Sequence, residues 1–268
     1  MKKIKNALPV INTLLTQNDK LLFNLFYLIA ESPSSFWATD DTSYLIGQTN
    51  EKLPAWLWLG EHVSDEIWTE IEAILLERLR KNPQLKLTAD ATKIEAFLQK
   101  FSNNHGFHYK PQVPMIVYSC DKVINSKKSE GHMILSTQEH KQILADFIAG
   151  MVDDLEHRPM RDGEAEGFAK DVAESPDMYL WEDNGTVTSM AMIVHRTSEF
   201  ARINTVYTDK KQRGKGYAGM LVGKVTQKLL DENLLPMLYT EKDNVCSNTT
   251  YKRIGYRSCG ELTTFLFG

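Results

Sequence analysis

Apolar residues recur along this chain at two periods, and the switches between them outline its elements. From Pro9 to about Ala30 the pattern is helical and takes in the run LLFNLFYLIA, Leu21 to Ala30. A bilayer span needs about twenty apolar residues, so this shorter run reads as a core-facing helix. Ser43–Gly47 and Ala55–Leu59 read as two strands joined by a turn at Thr49-Asn50-Glu51. In the second, Trp56 and Trp58 alternate with Leu57 and Leu59, so both faces are apolar and burial on both sides is expected. Ser64-Asp65-Glu66 has the form of an N-cap followed by first-turn acids, and Ile67, Ile71, Ile74 and Leu75 then follow at helical spacing. A strand at Leu85–Thr88, a helix from Ala91 to about Phe101 and two strands around Phe107–Tyr118 complete this half.

The polar stretch DKVINSKKSEG, Asp121 to Gly131, follows the strand-like PMIVYSC and reads as a linker. We therefore expect two domains, 1–125 and 131–268. The second starts with a strand at Met133–Leu135 and helices at about Thr137–Leu155 and Glu164–Ala173. Asp177–Glu182 and Thr186–His195 form an expected hairpin around Asp183-Asn184-Gly185, since Asn-Gly is a strong hairpin signal. A strand at about Ala201–Tyr207 leads into a glycine-rich loop. The amphipathic helix after it runs to about Leu230, with Leu221, Val222, Val225, Leu229 and Leu230 on one face. A strand at Met237–Thr240, a short helix around Ser247–Arg253 and a strand from about Leu262 to Phe267 end the chain. The expected fold class is α/β, with a mixed sheet of the α+β kind in the second domain.

Composition narrows the function. With 42% hydrophobic and 25% charged residues, a packed soluble fold is expected for these 268 residues. A net charge of −4 argues against a nucleic-acid partner. Basic residues do crowd one place: Lys210, Lys211, Arg213 and Lys215 surround the glycines. The three cysteines, Cys120, Cys246 and Cys259, are scattered, which fits a reducing cytoplasm and gives no zinc pattern. His105 and His108 lack a third ligand nearby and read as a turn, so no metal is expected. The start MKKIKNALPV is basic but interrupted by Asn and Pro, unlike a secretory signal. The expectation is a cytoplasmic protein that does not engage a membrane.

The loop RGKGYAG, Arg213–Gly219, spells G-x-G-x-x-G, the dinucleotide-binding fingerprint. Glu241 even falls where a ribose-binding acid belongs. However, five polar residues, Asp209–Arg213, separate the strand from the glycines, and only 268 − 241 = 27 residues follow Glu241, too few to complete a doubly wound domain. A P-loop also fails, because Val225 follows Gly223-Lys224 and Ala218 stands where the first glycine belongs. What the letters do provide is an anion site. Gly214 and Gly216 allow close backbone approach, successive amides open a helix, and Arg213 and Lys215 add charge. The alternative is a glycine-softened helix start on a solvated basic surface.

A second motif, NVCSNTTYKRIGY from Asn244 to Tyr256, lies one strand later. With R-x-x-G-x-A at Arg213, Gly216 and Ala218, and matches at Asn244, Ser247, Tyr251, Gly255 and Tyr256, the sequence from about Met133 to Phe267 resembles the GNAT superfamily of acyl-CoA-dependent N-acyltransferases. The resemblance implies a splayed central sheet. It implies that Arg213, Gly214, Lys215, Gly216, Tyr217 and Ala218 hold the coenzyme A pyrophosphate. Main-chain groups around Val206 and Thr208 would bind the pantetheine and polarise the thioester, with Asn244 and Ser247 nearby. Tyr251 matches the general acid that protonates the departing thiolate, although a core aromatic is the alternative. Relatives often carry a glutamate on the loop strand, but ARINTVYT has no acid. Glu241 becomes the candidate base, with Asp243, Glu199 and a water chain through Asn204 as alternatives. Glu241, like the others, also fits an ordinary exposed strand-end acid.

The implied activity is transfer of acetyl from acetyl-CoA, a co-substrate, to a primary amine of a small molecule or peptide. The alternative is a degenerate CoA-binding sensor or interaction protein. Acids in the helical segment Thr137–Ala173, Asp153, Asp154, Glu156, Asp162, Glu164 and Glu166, would suit a cationic acceptor and equally fit a solvated face. The smaller first domain lacks both motifs. Its element order fits a diverged copy of the same fold, with an independent binding module as the alternative. Monomer and homodimer are both open.

Overall fold

The computed structural model describes residues 2–124, 130–156 and 158–268. Residues 125–129 of the expected linker therefore lie outside the described residues. In chain order the elements are β1 (Lys2–Lys3), α1 (Leu8–Leu14), α2 (Gln17–Leu22), α3 (Leu25–Glu31), β2 (Phe36–Thr39), β3 (Tyr44–Gln48), β4 (Ala55–Leu59), α4 (Asp65–Lys81), β5 (Lys86–Ala89), α5 (Ala91–His105), β6 (Tyr109–Pro111) and β7 (Met115–Ser119). There follow β8 (His132–Leu135), α6 (Lys141–Glu156), α7 (Glu164–Val172), β9 (Met178–Asp183), β10 (Thr186–Arg196), β11 (Phe200–Thr208), α8 (Tyr217–Asp231), β12 (Leu235–Glu241), α9 (Val245–Ile254) and β13 (Arg257–Phe267). The chain divides into two compact units. One comprises Met1–Val117, Thr240–Asp243 and Cys259–Gly268, and the other Tyr118–Tyr239 and Asn244–Ser258.

In the first unit β1 to β4 pair antiparallel in sequence, β4 pairs parallel with β5, and β5 pairs antiparallel with β13 through Leu87↔Phe265. The strand β4 is buried on both faces, as its alternation implies. Trp56 and Trp58 pack with Ile11 and Phe26 of the N-terminal helices, while Leu57 and Leu59 pack with Ile71, Leu75, Leu98 and Phe101 of α4 and α5. The single helix expected from Pro9 to Ala30 is instead three short ones. Leu15 turns extended (ψ 129°), and a reciprocal cap then starts α2: Asp19 N donates to Thr16 Oγ1, and Thr16 N to the Asp19 carboxylate, both at 3.2 Å. The strand β2 was not expected, since four residues between turn-forming segments give too short a pattern.

The second unit is an antiparallel run of β8, β9, β10 and β11, with β12 added parallel to β11. Leu144, Phe147 and Ile148 of α6 and Ala169 and Val172 of α7 pack against Met178, Leu180, Met190 and Tyr207 of the strands. The hairpin between β9 and β10 turns on Asn184 (φ 49°) and Gly185 (φ 73°), the two positive dihedrals that a two-residue turn of this hand requires.

Candidate active site

β11 and β12 pair only at their beginnings, through Phe200↔Leu235, Ala201↔Pro236 and Arg202↔Met237. Among the described residues the ladder ends there, so the two parallel strands splay beyond it. β11 also carries a bulge. Between the pairs Met190↔Tyr207 and Met192↔Asn204, the single residue Ala191 of β10 stands against Thr205 and Val206. Thr205 has φ +53°, a left-handed conformation that costs a β-branched residue on the order of 1–2 kcal/mol. The Asn204 side chain supports it, with Oδ1 accepting from Thr205 N at 2.8 Å. The strained bulge thus lies beside the opening between the strands.

The strand ends at Thr208, whose hydroxyl lies 2.8 Å from that of Ser189 and whose carbonyl accepts from Arg213 Nε at 3.1 Å. Asp209 caps a short 3-10 turn, Lys210–Gln212. Gly214 (φ +81°) and Gly216 (φ +89°) are left-handed, and Gly216 is the N-cap of α8. No side chain caps that helix. The first intrahelical bond is Met220 N to Gly216 O at 3.1 Å, so the amides of Tyr217, Ala218 and Gly219 come before the helix ladder begins. Gly219 is less constrained: a Cβ there would meet Thr250 Cγ2 of α9 at 3.4 Å, an ordinary contact.

The basic residues of the loop are largely engaged. The Arg213 guanidinium turns inward, bonding the Asp154 carboxylate of α6 and lying 5.2 Å from the Tyr207 ring. Lys210 Nζ lies 2.7 Å from Asp153 and 3.2 Å from Asp154. Burial opposes ionisation of Asp154, but hydrogen bonds from Arg213 and Lys210 outweigh it and hold the carboxyl below the usual carboxylate range. These two acids thus latch the loop to α6. Lys215 Nζ donates to Gln212 Oε1 at 2.7 Å, and Tyr217 OH donates to Asp183 Oδ2 at 2.6 Å, tying the start of α8 to the β9–β10 turn. The positive potential at the glycines therefore comes from the helix start together with Lys215, whose partner Gln212 is neutral.

The second motif builds α9. Asn244 is its N-cap, with Oδ1 accepting from Ser247 N at 3.0 Å. Asn248 Nδ2 donates to the Asn244 carbonyl at 2.8 Å, and Tyr118 OH donates to Asn248 Oδ1 at 2.9 Å. The motif letters gave no sign of Asn248 or Tyr118. Tyr251 is buried, its ring 6.4 Å from that of Tyr118 and 5.9 Å from that of Tyr256. Burial pushes its phenol up to about 12, with a hydrogen bond to Ser247 acting in the other direction. Gly255 (φ +125°) explains the glycine of the motif, because a Cβ there would overlap the Lys122 carbonyl oxygen. Glu241 is exposed and belongs to the first unit, whereas Tyr251, Asn244 and the glycine loop belong to the second. Among the described residues no cluster of His, Cys, Asp and Glu could hold a metal ion, and no helix is long and apolar enough to cross a membrane.

A splayed parallel pair, a bulge beside the opening and an uncapped helix after the strand thus lie together in the second unit. Residues 141–256, less than half of the chain, match the model of the acetyltransferase (GNAT) family. Among solved structures, an acetyltransferase of the GNAT family from Colwellia psychrerythraea is similar at a TM-score of 0.60 and 14% identity, over 100% of this chain and 99% of that one. A GCN5-related N-acetyltransferase from Sphaerobacter thermophilus gives 0.58 and 12%, over 88% and 76%. One from Kribbella flavida gives 0.55 and 16%, over 83% and 86%. At these identities the likeness is one of fold. No curated protein matches the sequence.

Proposed function

We propose that the protein transfers an acetyl group from acetyl-CoA to a primary amine by direct attack in a ternary complex. The observation that carries this reading is the start of α8, where successive amides open an uncapped helix behind two left-handed glycines at the end of a splayed strand. In this reading the pyrophosphate takes the amides of Gly214–Ala218. The pantetheine lies along β11, where main-chain groups of Val206 and Thr208 receive it and polarise the thioester carbonyl. Asn244 reaches the arm with its amide nitrogen, since its oxygen caps α9, and Ser247 lies beside it.

The amine nitrogen attacks the carbonyl carbon, the carbon–sulfur bond breaks, and the Tyr251 hydroxyl passes its proton to the departing sulfur. The proton of the attacking amine leaves through water at the exposed Asn204 or through Glu241, the nearest acid by sequence. The first unit is read as a diverged copy of the same fold without the phosphate loop. The absence of an acid from β11 favours a second reading, a CoA-binding sensor. Calorimetric titration with acetyl-CoA, followed by thiol release across a panel of amines, tests both. Micromolar binding and release are expected. No detectable binding refutes both readings, and binding without release for any amine leaves the sensor.

A further inference from the structure

The strand before the glycine loop holds a charged side chain that the mechanism above does not use. Arg202 is the last residue of β11 to pair with β12 before the strands part. Its partner in register is Met237, and Tyr239, two residues further along β12, lies on the same face as Met237. The Arg202 guanidinium carbon sits 5.9 Å from the centre of the Tyr239 ring. The side chain therefore reaches from β11 onto the diverging part of β12, across the mouth of the splay.

This guanidinium is partly buried and unpaired. Its Nε is fully enclosed without a hydrogen-bond partner. Nη1 and Nη2 are not enclosed, and they bond to no other described residue. Arg196 and Arg213, by contrast, each hold a carboxylate. Burial draws the Arg202 pKa below the ordinary arginine range, opposed only by Tyr239, so no carboxylate of the described residues acts on it. An enclosed, unpaired Nε–H is costly to keep, and the two Nη groups, which are not enclosed, are the ones that a molecule from outside the chain can pair.

We infer that Arg202 recognises a carboxylate on the acceptor, so that the amine substrate is of the amino-acid type, with its carboxylate held at the splay beside the attacking nitrogen. The inference rests on the acetyl-transfer reading for the amine but on Arg202 alone for the anion. The guanidinium fork matches a carboxylate. One cation without a second beside it suits a monoanion better than a phosphate dianion.

The test uses the full chain, wild type beside Arg202→Met and Arg202→Lys. Thiol release from acetyl-CoA is measured with free α-amino acids and with the matching carboxamides, which keep the amine and lose the charge. The wild type is expected to prefer the acids. In Arg202→Met the ratio of kcat/KM for acid over amide should fall roughly ten- to a hundredfold, mainly through KM, and Arg202→Lys should restore part of it. Equal use of acids and amides by the wild type, or an unchanged ratio in Arg202→Met, overturns the inference. Thermal unfolding provides a readout independent of turnover. Without ligand Arg202→Met should melt no lower than wild type, and the rise in Tm that amino acids give the wild type should vanish. A lower melting point with that rise intact would make Arg202 structural. If no amine is acetylated, the acetyl-transfer reading fails, and the amino-acid-dependent Tm still decides the role of Arg202.

Discussion

Replacing Tyr251 by Phe removes one oxygen from a buried side chain and leaves its ring between Tyr118 and Tyr256. The lost bond to Ser247 should reduce stability by about 0.5–1.5 kcal/mol, so the variant stays folded. The catalytic effect is larger. With its phenol pushed up to about 12, Tyr251 is protonated throughout the neutral range and always has a proton to give. The departing thiol, however, ordinarily titrates near 8.5, so transfer to the free thiolate is uphill by about 5 kcal/mol, and transfer to a sulfur still bonded to carbon is steeper still. The proton must therefore move as the bond breaks. A mismatched acid of this kind belongs at the lower end of the range for general acids, and kcat should fall by about 10²-fold. The acetyl-CoA Kd should stay within about threefold, since no binding contact in our account uses this hydroxyl. Initial rates of thiol release from pH 6 to 10, with calorimetry alongside, are the assay. Full activity of Tyr251→Phe across that range would refute the acid role. A basic limb near pH 9 in the wild type that disappears in the variant would refute the raised pKa.

Other substitutions probe the scaffold. Gly216→Ala places a side chain at φ +89° and should cost about 1–2 kcal/mol, with acetyl-CoA binding at least about tenfold weaker by calorimetry. Gly255→Ala combines a positive φ with overlap onto the Lys122 carbonyl and should lower the urea-unfolding free energy by roughly 3 kcal/mol; an unchanged midpoint would contradict the close approach. Asp154→Asn opens the latch to Arg213 and Lys210 at a cost of about 0.5 kcal/mol for such a partly exposed pair. Because the folded pKa of Asp154 is lowered, its contribution is complete above the unfolded carboxylate value near 3.9 and is lost as pH falls through the lower folded value. The stability of the variant should accordingly begin to converge with that of wild type near pH 4 and meet it only below the lowered folded value, as thermal melts would show.

The sequence carried the local features of this fold best. The Ser64 cap of α4, the Asn184-Gly185 turn and the two apolar faces of β4 each depend on neighbours in the chain, and each was found where the letters put it. The glycine loop was legible for the same reason. The Thr205 bulge was not, because a β-branched residue within ARINTVYT reads as ordinary strand. Nor was the inward turn of Arg213, whose partner Asp154 lies 59 residues away on another element. Arg202 was not singled out within ARINTVYT, because only the divergence of β12 gives it an environment. The three-part N-terminal helix was a misreading of a visible signal, since Thr16 and Asp19 spell a cap inside an unbroken apolar run.

The first unit closes on residues far downstream of the rest of it. Thr88 and Thr264 share a hydrogen bond across 176 residues, and Phe265 and Phe267 fill the same core as Leu57 and Leu87. β5 gains its β13 partner only after Arg257–Phe267 has been made, by which point nearly all of the second unit has also been made. The order of completion thus runs against the order of synthesis, and the usual sequence of N-terminal folding first is reversed. Such late, distant pairing makes folding slow. It also makes Cys259–Gly268 the segment whose loss would leave the first unit unfinished.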